Sequence, residues 1–533
     1  MLKSEQMFKV RILIPNEYLD KTLIALGEAE VLHLSDIAED EELKEVITPA
    51  ELSEAYYKYA GIIARIEELA SNLNLNLKVT PKINKEYSIS EIEEKLGKLE
   101  EEVNDIRFAI SKLEEKGELE NLEKLRGKLR EIADEAKSKL PLWLGVAWRY
   151  RKLEEAKSKL GKCGKSFHVI YGWIPKRNYQ KLMKILEDAT ENKFIMGVSE
   201  PSHHDHPPTL IEHKGILTSF GALTRAIGVP SYGEIDPTPI MVLTFPLIFG
   251  SMFGDVGHGA IIVLAAIAAL YYKRKGVEVG ETLNYIVQGS PLLLLCGISS
   301  IIFGMLYGEF FGSEEWFEAL FKPILHLVGK EHGPIWFSPY HEPMYLLKIC
   351  IFIAIIHMIS GLLLDFINKI SEKEYKHAIA GPGTWLWLYA GGAYLFITYG
   401  SRIFEVIFDP QIIVPYVAVP LIVMIIFRTI TEGPSEGFGS ALESFLSSIS
   451  NTVSYSRILA LNMAHTIFAK LPFNFTASPI AFIGSFIAFN AIILTLEALL
   501  SMMHTLRLHW VEWFLKFYSG EGYEFKPFTL ISL

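Results

Sequence analysis

The stretch Phe438 to Lys470 reads FGSALESFLSSISNTVSYSRILALNMAHTIFAK. It is long and apolar enough to cross a bilayer, which takes about 20 residues, yet it carries Glu443, Arg457 and His465. An arginine near the middle of a membrane helix costs from about 3 to over about 10 kcal/mol, so it needs a partner or a purpose. At about 100° per residue, Glu443, Ser450, Ser454 and Arg457 fall on one stripe, which Leu461 continues. A polar stripe cannot face lipid, so this helix faces protein or water. The guanidinium stays charged where a lysine would surrender its proton. Two readings are open at this point: a fixed cation that attracts an ionised carboxylate, or a structural ion pair with a neighbouring helix.

The 533 residues are 50% hydrophobic, and the apolar ones are unevenly spread. Up to about residue 235 the chain is rich in Glu, Lys and Leu, and beyond it long apolar runs dominate. The net charge of -11 includes acidic runs such as Glu39 to Glu45, and no basic block points to nucleic acid. Cys163, Cys296 and Cys350 match no metal or redox spacing. The start, MLKSEQMFKVRILIP, has no apolar signal core, so the polar part is expected to stay cytoplasmic.

Phe8 to Ile14 alternates as a strand does, a helix is expected around Tyr18 to Glu28, and a second strand at Glu30 to Leu34. Helical patterns follow over Glu41 to Leu73, Ser90 to Leu113 and Leu119 to Leu160. The stripe Leu96, Leu99, Val103, Ile106 and Ile110 argues for antiparallel helices packed as a coiled-coil hairpin, turning at Glu115 to Gly117. Phe167 to Tyr171 reads as strand, Gly172 to Pro175 as a turn, Asn178 to Glu187 as helix and Phe194 to Val198 as strand. One α/β lobe, from about 8–35 and 165–200, then sits at the base of a hairpin spanning about 41–160. His203, His204, Asp205 and His206 precede paired prolines, a solvated linker rather than a metal set.

Eight apolar spans follow Pro237: approximately 238–253, 257–272, 285–311, 343–368, 382–400, 413–430, 438–469 and 478–510. Bases such as Lys273, Lys373 and Lys516 cluster after the even-numbered spans, which puts both termini in the cytoplasm. Gly304, Gly308 and Gly312, four apart, suggest a close helix-packing face, and Asp255 suits a turn cap. The eighth span answers the seventh: Asn490, Glu497, Ser501, His504 and Leu508 share a face, with Arg507 beside it. Two neighbouring spans thus each carry a buried acid, more than one structural pair requires. The fold class expected is an α-helical polytopic membrane protein of about eight transmembrane helices, residues 236–533. Its N-terminal cytoplasmic arm, residues 1–235, combines the α/β lobe with the antiparallel coiled coil.

The residues resemble a family. EIDPTP from Glu234, FPLIFGSMFGDVGHG from Phe245 and GISSIIFGMLYGEFFG from Gly297 are similar to the a (or I) subunit of V-type and archaeal A-type rotary ATPases, the stator partner of the proteolipid ring. NTVSYSRILALNMAH from Asn451 and LRLHWVEWFLKFYSGEG from Leu506 carry the likeness most strongly, and YGWIP from Tyr171 extends it loosely into the arm. The resemblance implies that Arg457 faces passing ring carboxylates between two offset half-channels. It implies that Glu443, Glu497, His465, His504 and Arg507 line those channels, with Ser450, Ser454, Asn490 and Ser501 on the same polar faces. The implied partners are the proteolipid (c/K) ring, peripheral stalk subunits of E/G or E/H type, the ring-capping central stalk subunit (C/d type) and the membrane. No cofactor and no metal are implied. Relatives usually carry a second globular lobe at the far end of the hairpin, for which this chain has only Leu77 to Tyr87, and larger apolar residues where it has Ser456.

A fixed guanidinium stabilises an ionised ring carboxylate and, as a positive barrier, stops protons slipping between half-channels. The chain has no GxxxxGK[ST] loop, so it does not hydrolyse ATP by that route. The competing class is a secondary transporter binding substrate through Arg457 and Glu497, although no inverted repeat or pair of broken helices is evident. A receptor or tether would not need the doubled acid stripe.

Overall fold

A computed structural model describes residues 3–39, 48–75, 77, 88–116, 119–164, 166–202, 205–276, 280–327, 329–330, 332–402, 405, 409–474 and 478–530. Two units emerge, Glu5–Leu210 with Glu524–Leu533, and Met1–Ser4 with Ile211–Tyr523. The stretch 211–235, expected in the arm, groups with the apolar half because Phe220 packs into the core of Met241, Phe245 and Phe249.

In the first unit the alternation at Val10, Ile12 and Ile14 becomes strand β1 (Met7–Pro15), with these three side chains fully buried. The helix that follows is α1 (Leu19–Ala29), and strands β2 (His33–Leu34), β3 (Thr48–Pro49) and β4 (Gly161–Cys163) are short. β1 lies antiparallel between β5 (Phe167–Pro175) and β6 (Ile195–Ser199), with Ile12 opposite Ile170 and Met196. YGWIP is therefore strand rather than turn. Gly172 is needed there for close approach, since a Cβ at this position would lie 2.1 Å from the carbonyl oxygen of His33 on β2. Leu530 and Phe528, from the end of the chain, join the same core.

Helices α2 (Glu54–Asn72), α3 (Ile89–Lys116) and α4 (Leu119–Ser158) share a second core built from Ile62, Ile66, Leu69, Leu96, Val103, Ala136 and Leu140. These are positions three and four apart, as amphipathic helices demand. The lobe is completed by α5 (Tyr179–Thr190). Asp205 pairs with Lys9 at 2.7 Å instead of joining a metal set, and His203 and His204 lie outside the described residues, as do most of 41–47 and 77–87.

Among the described residues, the apolar unit holds five helices long and apolar enough to cross a membrane: Val256–Lys275, Ser290–Tyr307, Pro343–Ser371, Pro410–Glu432 and Pro479–Lys516. In chain order they are α7, α8, α9, α11 and α14. The remaining spans expected from sequence are helical but shorter or more polar: α6 (Thr238–Met252), α10 (Thr384–Tyr399), and the pair α12 (Pro434–Ser454) and α13 (Ser456–Lys470). Phe438 to Lys470 is thus not one helix but two, broken at buried Tyr455, whose hydroxyl lies 2.6 Å from Nδ1 of His357 on α9. The glycine face also differs. Helix α8 ends at Tyr307, Gly308 and Gly312 take positive φ of 74° and 72° beyond it, and only Gly304 serves packing within the helix, against the backbone of Asp255 and Val256. Aromatic and aliphatic side chains of α6 seat both α13 and α14.

Candidate functional site

Arg457 stands in the first turn of α13, just past the break at Tyr455. Its Nη1 donates to Oε1 of Glu512 at 2.7 Å, and Nη2 reaches the Ser454 hydroxyl at a long 3.4 Å. The Glu512 side chain is 2% exposed and that of Arg457 is 22% exposed, so the acid is sealed in while the guanidinium keeps one side open. Charged pairs withdrawn from water make strong, short hydrogen bonds. Glu512 was not singled out in the sequence, yet the signal was there: it stands four residues beyond Leu508 on the same stripe. The span was expected to stop at 510, whereas α14 runs to Lys516.

Eight residues along α13, about 12 Å at helical rise, His465 meets Glu497 of α14, with Nδ1 2.9 Å from Oε2. His465 is buried at the turn between α6 and α7. Asp255 caps α7 there, accepting from the backbone N–H of His258, Phe311 and Gly312 at 3.0, 3.0 and 2.8 Å. The ring of His258 lies 5.1 Å from that of His465, and Phe253 packs on His465 at 4.5 Å. The next residue, Thr466, places its hydroxyl 3.1 and 3.3 Å from the two side-chain oxygens of Glu309, a residue with no exposure.

The two clusters gather some of the expected residues and leave others out. His504 is half-buried close to Arg457 and Arg507, and Ser501 is buried on the same helix. Arg507 itself is exposed. Glu443 and Ser450 are exposed on α12, where Glu443 neighbours Arg428 and Lys516 instead of Arg457. Asn490 is buried, but its amide donates to the Phe486 carbonyl within its own helix. The physical reason is helix geometry: α14 contains wide π turns at Ile493–Glu497 and Leu508–Trp513, and α12 breaks before α13, so constant 100° steps lose phase. Arg457 and Glu497 bond to different partners, Glu512 and His465. Beyond Glu512, sequence reasoning missed His357, His509, His258 and Glu309, which lie outside the two stripes it followed. His509 joins α14 to α6 through Thr244 at 2.9 Å.

The sequence profile of the V-type ATPase 116kDa subunit family matches residues 122–324 and 440–530, more than half of the chain. The chain belongs to that family. Among its relatives, an "A-type ATP synthase subunit I" from Pyrococcus horikoshii is 26% identical over 426 residues, covering 76% of this chain and 60% of the relative. Another of that name, from Methanocaldococcus jannaschii, is 27% identical over 463 residues, 79% of this chain and 63% of the relative. The human "V-type proton ATPase 116 kDa subunit a 3" is 24% identical over 573 residues, 78% of this chain and 69% of the relative. The chain therefore spans about three fifths of the length of the archaeal relatives. In this member of the V-type ATPase 116kDa subunit family, both clusters fall within the matched segments: Arg457, Glu512, His465 and Glu497 in the second, Asp255, His258 and Glu309 in the first.

Proposed function

We propose that this chain is the membrane stator subunit of a rotary A/V-type ATPase. In this reading α13 and α14 flank two half-channels that feed protons to a proteolipid ring. The single observation that carries it is Arg457: a permanent cation on a membrane helix, held on one side by Glu512 and 22% exposed on the other. Bonds at Nη1 and Nη2 leave the remaining N–H donors of the fork for a second carboxylate. A ring carboxylate arriving there is stabilised as the anion, gives up its proton to water on one side and regains one on the other. His465 and Glu497 supply an acid–base pair about 12 Å further along α13, suited to one half-channel. The first unit acts as the cytoplasmic arm, joining peripheral stalks and neighbouring the ring-capping subunit, with both termini cytoplasmic and eight spans in all. The chain itself moves ions and catalyses no bond chemistry.

The Glu512 bond also favours a second reading, in which Arg457 merely ties two helices together. One experiment separates them. Arg457→Gln alone leaves Glu512 buried and unpaired, at a cost of about 3–5 kcal/mol. The double variant Arg457→Gln with Glu512→Gln substitutes a neutral hydrogen-bonded pair and removes that penalty. The assembled double variant is expected to lose ATP-driven proton pumping in vesicles altogether. Pumping near the unaltered level by an assembled double variant overturns the stator role and leaves the helix tie.

A further inference from the structure

The turn between α6 and α7 holds a second chemistry. Asp255, His258 and His465 are all buried, and one ligand atom from each lies within 4.8 Å of the other two. Neither ring nitrogen of His258 has a hydrogen-bond partner, nor has Nε2 of His465. A buried polar group left unsatisfied costs about 1–3 kcal/mol, so three of them within one cluster call for an occupant. His258 Nδ1 stands 3.1 Å from Asp255 Oδ1. Two donors on one tetrahedral ion at about 2.0–2.1 Å stand about 3.3 Å apart, and they point at the ion instead of at each other.

The tautomers fit as well. Glu497 Oε2, 2.9 Å from His465 Nδ1, accepts the proton of that nitrogen and leaves Nε2 with a free lone pair. A carboxylate behind a ligating histidine is the usual outer shell of a zinc site. Asp255 Oδ2 accepts from Gly312 N–H at 2.8 Å and Oδ1 from Phe311 and His258 N–H at 3.0 Å, which fixes the carboxylate and leaves one lone pair, on Oδ2, free to ligate. Two imidazoles and a carboxylate with a fourth position open suit Zn2+ and its neighbours, and not Ca2+ or Mg2+, which take oxygen.

We propose that Asp255, His258 and His465 bind a divalent transition-metal ion of the Zn2+ class, with Glu497 orienting His465. An ion there takes the imidazole that would otherwise relay protons and so blocks that half-channel. The block rests on the function proposed above; the binding does not.

The test titrates the purified full chain in detergent with Co2+, read by its visible absorption, and then displaces it with Zn2+. One Co2+ per chain with the intense bands of a four-coordinate site is expected. His258→Gln and His465→Gln should abolish those bands, and Glu497→Gln should weaken binding about 10–100-fold. Absence of saturable Co2+ binding by the unaltered chain overturns the proposal. So do bands that persist in His258→Gln, which would belong to surface histidines such as His341. Should either glutamine variant misfold by circular dichroism, the affinity of Glu497→Gln decides: an unchanged value overturns the assignment. Zn2+ bound at the cluster without slowing proton pumping would leave the metal site standing and count against the half-channel.

Discussion

Thr466 shows how much rests on single side chains in the apolar unit. Its hydroxyl lies 3.1 and 3.3 Å from the two Glu309 side-chain oxygens and 3.1 Å from the Asn462 carbonyl, so its one proton is shared among these acceptors. Thr466→Val keeps the shape and deletes the donor, so Glu309 loses a partner while fully buried. A loss of about 1–3 kcal/mol is expected, read as a lower unfolding temperature in detergent, whereas Thr466→Ser should retain most of the stability. A different residue sets a pH limit on the first unit. Burial holds the His33 imidazole down to about 4, and its Nδ1 accepts the Lys526 N–H at 3.0 Å. Below about pH 6.5 the unfolded chain binds a proton that the fold refuses until about 4. Stability is therefore lost as pH falls through that window, by at most about 1.4 kcal/mol per unit. His33→Gln should flatten this fall, measured as hydrogen-exchange protection of the β2–β5 amides relative to the unaltered chain at each pH. Arg457, His465 and Glu497 were legible as candidates because charge in an apolar run is conspicuous. Glu309 and His258 were not, since a lone acid or histidine near glycines reads equally well as a loop.

At the scale of elements, π turns set the register of α14. Each accommodates one residue more than an α turn, so the chain on either side keeps its alignment with α13. Deleting Thr495, an exposed residue inside the turn Ile493–Glu497, should convert it to regular helix and be tolerated. Deleting Leu499, exposed in regular helix, should rotate everything after it by about 100° and carry Glu512 away from Arg457. The expected contrast is a folded, monodisperse Thr495 deletion against a Leu499 deletion destabilised by about 3–5 kcal/mol, compared by thermal unfolding. Equal outcomes would show that the π turn does not hold register. Periodicity located many of the helices and strand β1, whose buried face writes itself into spacing, but not the helices Leu217–Arg225 and Glu314–Leu327. It could not reveal π turns or the break at Tyr455, which arise from packing against other elements and leave no period behind.

At the scale of the whole molecule, each compact unit draws on more than one segment of the chain. Sequence composition separates a polar part from an apolar one at about 235, whereas the two compact units part after Leu210. The shift is intelligible, since the segment following Ile211 buries Phe220 against α6, a pairing no local pattern discloses. Nor does composition show that the termini change sides. Lys3 bridges to Ile235 within the apolar unit, while Phe525 bonds to Thr209 and Phe528 to Leu32 within the other.

That exchange of ends has a bearing on splitting the gene. The backbone passes between the units three times, after Ser4, after Leu210 and after Tyr523. A cut in the exposed stretch after Lys214 yields two fragments, each of which keeps a short piece of the unit that the other mostly builds. The larger fragment retains Phe528 and Leu530 for the core of the lobe, and the smaller retains Lys3 for its place beside Ile235. Two separately expressed polypeptides should therefore reassemble by complementation, copurifying on a tag carried by one of them. Removing 524–530 from the larger fragment should abolish the recovery. Fragments that part in mild detergent with both ends intact would mean that the exchanged termini contribute too little to hold them.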